Sequence, residues 1–350
     1  MKQTTLIAAL FLFSVFQSAA QNEKARTLIT EGVDLYDQGK YEDAIGKYKE
    51  SMNLDSSNIV VYSEMSMTYL ALHDFNHTEG LCRRAILKFP GNEILQNIYS
   101  NYGNSLDERK EPEQALKIYT EGISKFPAYY MLHFNKGITE YGLKRMYAAR
   151  TSFQNAIKCN PKHASSYYYL GILEDDFENR IPAVLALSRF LILEPKGERA
   201  AKVLPYLTKK VNSLYLHEKV GSSVTTSSSA RKRTDTTENS FRGLDASLSI
   251  FSTMSSIPGM EKEGQTEVDK FEYTLQEIFE LLAPSKKDNS GFYWDYLAPY
   301  LTELESKGHM KAFVYFINHY ETKDPAVANW PVTNEKAMDA FLAWNKKYKW

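Results

Sequence analysis

Apolar side chains recur at helical spacing along most of the chain, so the pattern predicts helices. Leu6 to Phe16 is a different kind of segment, eleven residues interrupted only by Ser14. From about residue 25 the pattern turns amphipathic and repeats itself. Gly32, Ser66, Gly103, Gly137 and Gly171 are spaced 34, 37, 34 and 34 residues apart. Ala44, Thr78, Ala115, Ala149 and Ala183 follow the same intervals, as do Ser56, Pro90, Pro127, Pro161 and Pro195. Three columns in one register predict five two-helix units over residues 21–197. Ala201, Leu204, Leu207, Val211 and Leu214 then sit at helical spacing, with Lys202, Lys209 and Lys210 free to face water. They predict a capping helix over 198–218, which a solenoid needs to cover its last core face.

Residues 219–240 change character. Gly221-Ser222-Ser223, the run Thr225 to Ser229 and the basic cluster Arg231-Lys232-Arg233 offer almost nothing to bury, so the segment reads as a Ser/Thr-rich linker. Residues 241–350 hold all four tryptophans, Trp294, Trp330, Trp344 and Trp350. Three groups in it keep a helical period: Phe271 to Leu282, Phe313 to Tyr320 and Ala337 to Tyr348. No β alternation competes with them. The expected class is all-α, a solenoid of helical hairpins followed by a smaller, aromatic-rich helical domain.

The repeat resembles the tetratricopeptide family. Tyr167-x-x-Leu170-Gly171…Ala183…Pro195 and Tyr99-x-x-Tyr102-Gly103…Ala115-x-x-x-Tyr119…Pro127 carry its pattern of aromatic, small and closing proline positions. Small residues stand where helices cross closely, and proline ends the second helix because it has no amide hydrogen to donate. Glu140 and Glu174 depart from the pattern in a column that should be aromatic, and Phe190 in one that should be small. The fifth unit is therefore expected to pack differently.

The resemblance implies a concave groove lined by first helices. Its columns carry Ile29, Val33 and Tyr36, then Val60, Met67 and Leu70, with Asn104 in the third unit. Met131, Phe134 and Ile138 follow from the fourth unit, and Tyr168 and Ile172 from the fifth. One subgroup of the family grips a C-terminal carboxylate with lysine, arginine and asparagine. Here the matching columns hold only Arg26, at the margin, so a groove for an apolar helix or extended segment is expected instead. The chain's own C-terminal domain is the competing occupant.

Composition narrows the function. The 350 residues carry 42 basic and 43 acidic side chains, a net charge of −1, which supplies no basic excess for nucleic acid. Lys2, the apolar run and Ser18-Ala19-Ala20 read as a secretory signal peptide over residues 1–20, because eleven apolar residues are too few to span a bilayer. The expectation is a periplasmic or extracellular protein without a lipid anchor or a membrane span in the mature chain. Two cysteines exclude a cysteine zinc cluster, and four intervening helices keep Cys82 and Cys159 apart.

No His-Glu-x-x-His helix, phosphate loop, nucleophile elbow or EF-hand is present, and His217-Glu218 meets Gly221 where a second histidine would stand. His73 and His77 lack a third ligand, and Asp175-Asp176-x-Glu178 reads as a solvated helix end. Neither a catalytic residue nor a cofactor or metal site is therefore expected. What remains is a non-enzymatic adaptor that binds another envelope or secreted protein, with self-association open to it. The alternative makes 241–350 a ligand-binding or catalytic module served by the repeats.

Overall fold

The computed structural model describes residues 2–215, 241, 243–244, 266–320 and 322–350. The described residues are helical, without a strand, and fall into two compact units, Met1–Cys159 and Asn160–Trp350. The expected linker, with its basic cluster, and His217 lie outside the described residues.

The first unit is four helical hairpins. They are α1 (Lys2–Asp37) with α2 (Tyr41–Leu54), and α3 (Ile59–Ala71) with α4 (Phe75–Lys88). Next come α5 (Leu95–Glu108) with α6 (Pro112–Lys125), and α7 (Tyr130–Gly142) with α8 (Met146–Cys159). The N-terminal apolar segment is helical and continues without a break into the first repeat helix, within α1. Asn58 and Asp74 cap α3 and α4 by accepting from the amides of Val60 and His77, and Pro112 opens α6 where no amide donor is needed.

Each hairpin turns the same way. Lys144 N donates to Tyr141 O at 3.0 Å and Arg145 N to Glu140 O at 2.8 Å, the paired bonds of a Schellman turn. The left-handed residue of that turn is Gly39, His73, Lys110, Lys144 and Glu178 in successive hairpins, the last in the second unit. Their spacing repeats the 34, 37, 34, 34 of the sequence columns. Between the helices of the first, third and fourth hairpins an aromatic ring lies on the small residue, while Leu187 lies on Gly171 in the fifth. A Cβ added to Gly103 would meet Tyr119 Cε1 at 2.2 Å, and one on Gly137 would meet Phe153 Cε1 at 2.7 Å. Glycine is required there by the close approach, and the buried rings of Tyr48, Tyr99 and Tyr119 build the core around it.

The second unit begins with the fifth hairpin, α9 (Ala164–Asp176) and α10 (Arg180–Leu193), and continues with α11 (Glu198–Tyr215) and α12 (Glu267–Ser285). A π-turn over Tyr293–Leu297 leads into α13 (Ala298–Ser306), followed by α14 (Met310–Asn318), α15 (Pro325–Thr333) and α16 (Glu335–Lys347). The division between compact units thus falls between the fourth and fifth hairpins, whereas the expected domain limits were 197 and 241. The physical reason is α10, in which every residue from Ile181 to Ile192 is buried. A helix with no polar face must be covered all round, and α9, α11, α14 and the π-turn cover it.

The different packing expected from Phe190 is found here, with its ring 5.3 Å from that of Tyr168. Two details of α11 differ from expectation. Ala201 is exposed while Ala200 and Val203 are buried, and Lys210 is drawn out of water to pair with Asp175. Asp175 also accepts from Tyr206, so it is an ion-paired position rather than a solvated helix end.

Glu140 and Glu174, at the same column of two hairpins, show what replaces an aromatic ring. Both are buried, and both are satisfied. Glu140 pairs with Lys136 and accepts from Ser152 Oγ at 2.7 Å. Glu174 accepts from Tyr293 Oη at 2.6 Å and Asn179 Nδ2 at 2.7 Å.

Candidate functional site

In the first unit the first helices stack directly, α1 on α3, α3 on α5 and α5 on α7. Their inner face carries the residues expected to line a groove. Val33, Tyr36, Val60, Met67, Leu70, Asn104, Met131, Phe134 and Ile138 are each half-buried. Ile29 is 7% exposed and belongs to the core, so it offers almost no surface. Tyr168 and Ile172 lie in the second unit, half-buried, with the Tyr168 ring 5.3 Å from the Arg199 guanidinium.

A polar ladder runs through the same face, and the groove columns read from sequence included its Asn104 but not its donors Asn101 and Asn135. Asn135 Nδ2 donates to Ser100 Oγ and Asn104 Oδ1, both at 2.9 Å. Asn101, 34 residues earlier, donates to Ser66 Oγ at 2.9 Å and Ser63 O at 3.3 Å. Each asparagine ties its helix to the preceding first helix. Thr139 Oγ1 adds a bond to Asp107 Oδ2 at 3.0 Å. The repeating Asn101 and Asn135 were visible in the sequence at one period, but beside more prominent apolar columns.

Glu64 holds this column in the second hairpin. When ionised it can only accept, and among the described residues its carboxylate takes part in no hydrogen bond or ion pair. Burial, and then the charge of Asp37, push its pKa up. Tyr48 stands close by. Its ring lies on Gly32, as the Tyr119 ring lies on Gly103. Tyr119 Oη donates to Asn104 Oδ1 at 2.7 Å. Tyr48 Oη is buried with the Thr68 hydroxyl beside it and no amide to bond, because Val33 occupies the position of Asn104. Burial, followed by the charge of Glu64, pushes the Tyr48 pKa up to about 12.

Other groups singled out by sequence have structural places. His77 Nδ1 lies 2.7 Å from Asp74 Oδ2, and its ring stacks on Tyr69 at 4.7 Å. Cys82 is a buried free thiol, its pKa pushed up to about 12 by burial, and Cys159 is also free. Among the described residues no three His, Cys, Asp or Glu side chains converge as metal ligands. No helix among them is long and apolar enough to cross a membrane. In the second unit Arg189 is 2% exposed. Its Nη1 donates to Tyr300 Oη and Asn345 Oδ1, both at 2.9 Å, and the rings of Tyr300 and Trp350 lie 4.5 and 4.6 Å from the guanidinium carbon.

A Schellman turn and a fixed register recur in all five hairpins, and glycine lies under a ring in the first, third and fourth, with Ser66 in its place in the second and Leu187 over Gly171 in the fifth; the array is of tetratricopeptide type. No family model matches the chain. It is similar to the human mitochondrial import receptor subunit TOM34, 35% identical over 77 residues, which is 22% of this chain and 25% of that protein. The rat protein of the same name is 35% identical over 69 residues, 20% of this chain and 22% of its own length. The chain thus spans about a quarter of the curated relatives it matches. Among solved structures, a tetratricopeptide protein of Thermus thermophilus, TTC0263, shares 16% identity with a TM-score of 0.44. It aligns over 54% of this chain and 99% of its own. PilF of Pseudomonas aeruginosa shares 16% identity with a TM-score of 0.47, over 57% of this chain and 95% of its own.

Proposed function

We propose that the protein is an exported, non-enzymatic adaptor of the cell envelope that binds an apolar helix or segment of another protein on the inner face of its first unit. One observation carries the reading. Val33, Tyr36, Val60, Met67, Leu70, Met131, Phe134 and Ile138 are apolar, half-exposed and carried by α1, α3 and α7, three of the four stacked first helices. Each such side chain covered by a partner contributes roughly 1–2 kcal/mol, since it begins partly buried. The test is crosslinking capture from the native envelope fraction. Wild type is compared with a Phe134→Glu/Ile138→Lys variant whose circular dichroism is unchanged. A partner captured by wild type and lost by the variant supports the reading, while identical captures contradict it.

Export is supported by Lys2, the Leu6–Phe16 stretch and Ser18-Ala19-Ala20. Intact-mass measurement of the native protein should give a chain beginning at Gln21. A full-length chain retained in the cytoplasm contradicts export.

The alternative, a ligand-binding or catalytic C-terminal module, is favoured by the buried Arg189 guanidinium, whose Nε has no partner. Against it, the aromatic faces are spent inside the unit: Tyr300 stacks on Trp344 at 5.0 Å and on Trp350 at 4.9 Å. Tryptophan fluorescence titrated with mono- and oligosaccharides or small carboxylates separates the two. A saturable change supports the module, and a flat response supports the adaptor.

A further inference from the structure

Four columns of the inner face change character at the third hairpin. On α5 they hold Asn97, Ser100, Asn104 and Asp107. One period on, 34 residues later, α7 holds Met131, Phe134, Ile138 and Tyr141 in the same columns. One period back, 37 residues earlier, α3 holds Val60, Ser63, Met67 and Leu70. All but Ser63 and Ser100 are half-buried, so they meet whatever lies on this face. The apolar surface of α1 and α3 is thus divided from that of α7 by a polar band one helix wide.

The band is not satisfied from within. Among the described residues the Asn97 side chain takes part in no hydrogen bond. Asn104 accepts through Oδ1 from Tyr119 and Asn135, and its own amide N–H groups have no acceptor among those residues. Apolar side chains laid over such groups would leave them desolvated and unpaired, the costly case for a polar group. A bound segment must therefore be polar over α5 and apolar over α3 and α7. An extended segment would also bring bare N–H and C=O groups to Met67, Phe134 and Ile138, which have nothing to pair with them. A helix closes those bonds internally.

We propose that the inner face takes a helix of another protein whose apolar face is interrupted, two apolar stretches with uncharged polar side chains between them. The assignment rests on the inner face being a binding surface. Two helix contacts of about 8–10 Å separate α3 from α7, about 16–20 Å in all. At about 1.5 Å per residue, the apolar stretches of the bound helix are centred about 11–13 residues apart, with the polar turn midway. The open amides of Asn97 and Asn104 need an acceptor, and Asp107 beside them repels a carboxylate. The acceptor is therefore neutral, the side chain of glutamine, asparagine, serine or threonine.

Fluorescence anisotropy on the full chain tests this with two labelled helical peptides of the same composition, leucines and glutamines on one face. In the first the glutamines occupy the central turn, and in the second they stand at one end beside an unbroken leucine face. Wild type should bind the first at least about tenfold more tightly, the effect of one covered polar group left unpaired. Asn97→Leu, at a side chain bonded to nothing, should narrow that difference to about threefold or less, and Asn97→Gln should keep it. Equal binding by wild type, or tighter binding of the second peptide, overturns the interrupted helix and leaves the inner face standing as a binding surface. No binding of either overturns the inner face as well. A preference undiminished in Asn97→Leu overturns the assignment of the polar turn to α5.

Discussion

At the scale of single residues, two tyrosines in one column make opposite predictions. Tyr119 donates to Asn104, whereas Tyr48 has only the Thr68 hydroxyl beside it and no well-formed bond. Removing a satisfied buried hydroxyl costs about 1–1.5 kcal/mol, because Asn104 is left underbonded. Removing an orphaned one relieves a desolvation cost. Chemical denaturation should therefore show Tyr119→Phe destabilised by about that amount and Tyr48→Phe neutral or more stable; equal losses would mean that Tyr48 is bonded. Glu64 adds a dependence on pH. Its pKa is raised by burial and by Asp37, so the folded state holds its proton more firmly than the unfolded state does. The charged and titratable groups facing it are Asp37 and Tyr36 from α1 and Tyr48 from α2, none of them cationic. Its contribution is therefore most favourable in acid and is lost as pH rises from the ordinary glutamate value through the raised one. Glu64→Gln should melt higher than wild type at neutral pH, and the gap should close on acidification through that window. These residues were poorly legible in the sequence. The groove-facing columns implied by the family resemblance leave out the one that holds Glu64, and its role becomes visible only beside the ladder of Asn101 and Asn135.

At the scale of elements, the hairpins were legible because three columns of small and proline residues share a register. The left-handed turn residue is a fourth column, hidden because only Gly39 among its members is a glycine. Lys110 and Lys144 adopt φ of 66° and 60°. A left-handed non-glycine residue costs about 1–2 kcal/mol, and glycine gives back part of that in chain entropy. Lys144→Gly should thus stabilise the protein by about 0.5–1 kcal/mol in denaturant melts, and a loss of stability would show that the lysine side chain has a larger role. The complete burial of α10 was not read from the sequence. Its run Ile-Pro-Ala-Val-Leu-Ala-Leu-Ser-Arg-Phe-Leu-Ile has no polar face, a pattern of complete burial that the repeat register concealed. Arg189 is the single charge within it, held by Tyr300, Asn345 and two rings. Arg189→Ala strips those partners and opens a cavity. It should destabilise the protein by about 3 kcal/mol or more. A loss below about 1 kcal/mol would place the guanidinium in water.

At the scale of the whole molecule, the all-α class was legible from periodicity, whereas the grouping of elements was not. Sequence columns count the fifth hairpin with the other four, because the columns report how two helices meet. They carry no information on what covers the outside of a pair, and that is what assigns α9 and α10 to the second unit. The functional account rests on the first unit, where half-buried apolar side chains share one face. A photo-crosslinking amino acid placed at Met67 on that face, and at Leu87 on α4 as a control, tests it most directly. Leu87 is 83% exposed and lies on a second helix, so any non-specific apolar contact should reach it at least as well. Illumination in the native cell should yield one discrete adduct from Met67 and none from Leu87. The same adducts from both positions, or none from Met67, would contradict the inner face as the binding surface.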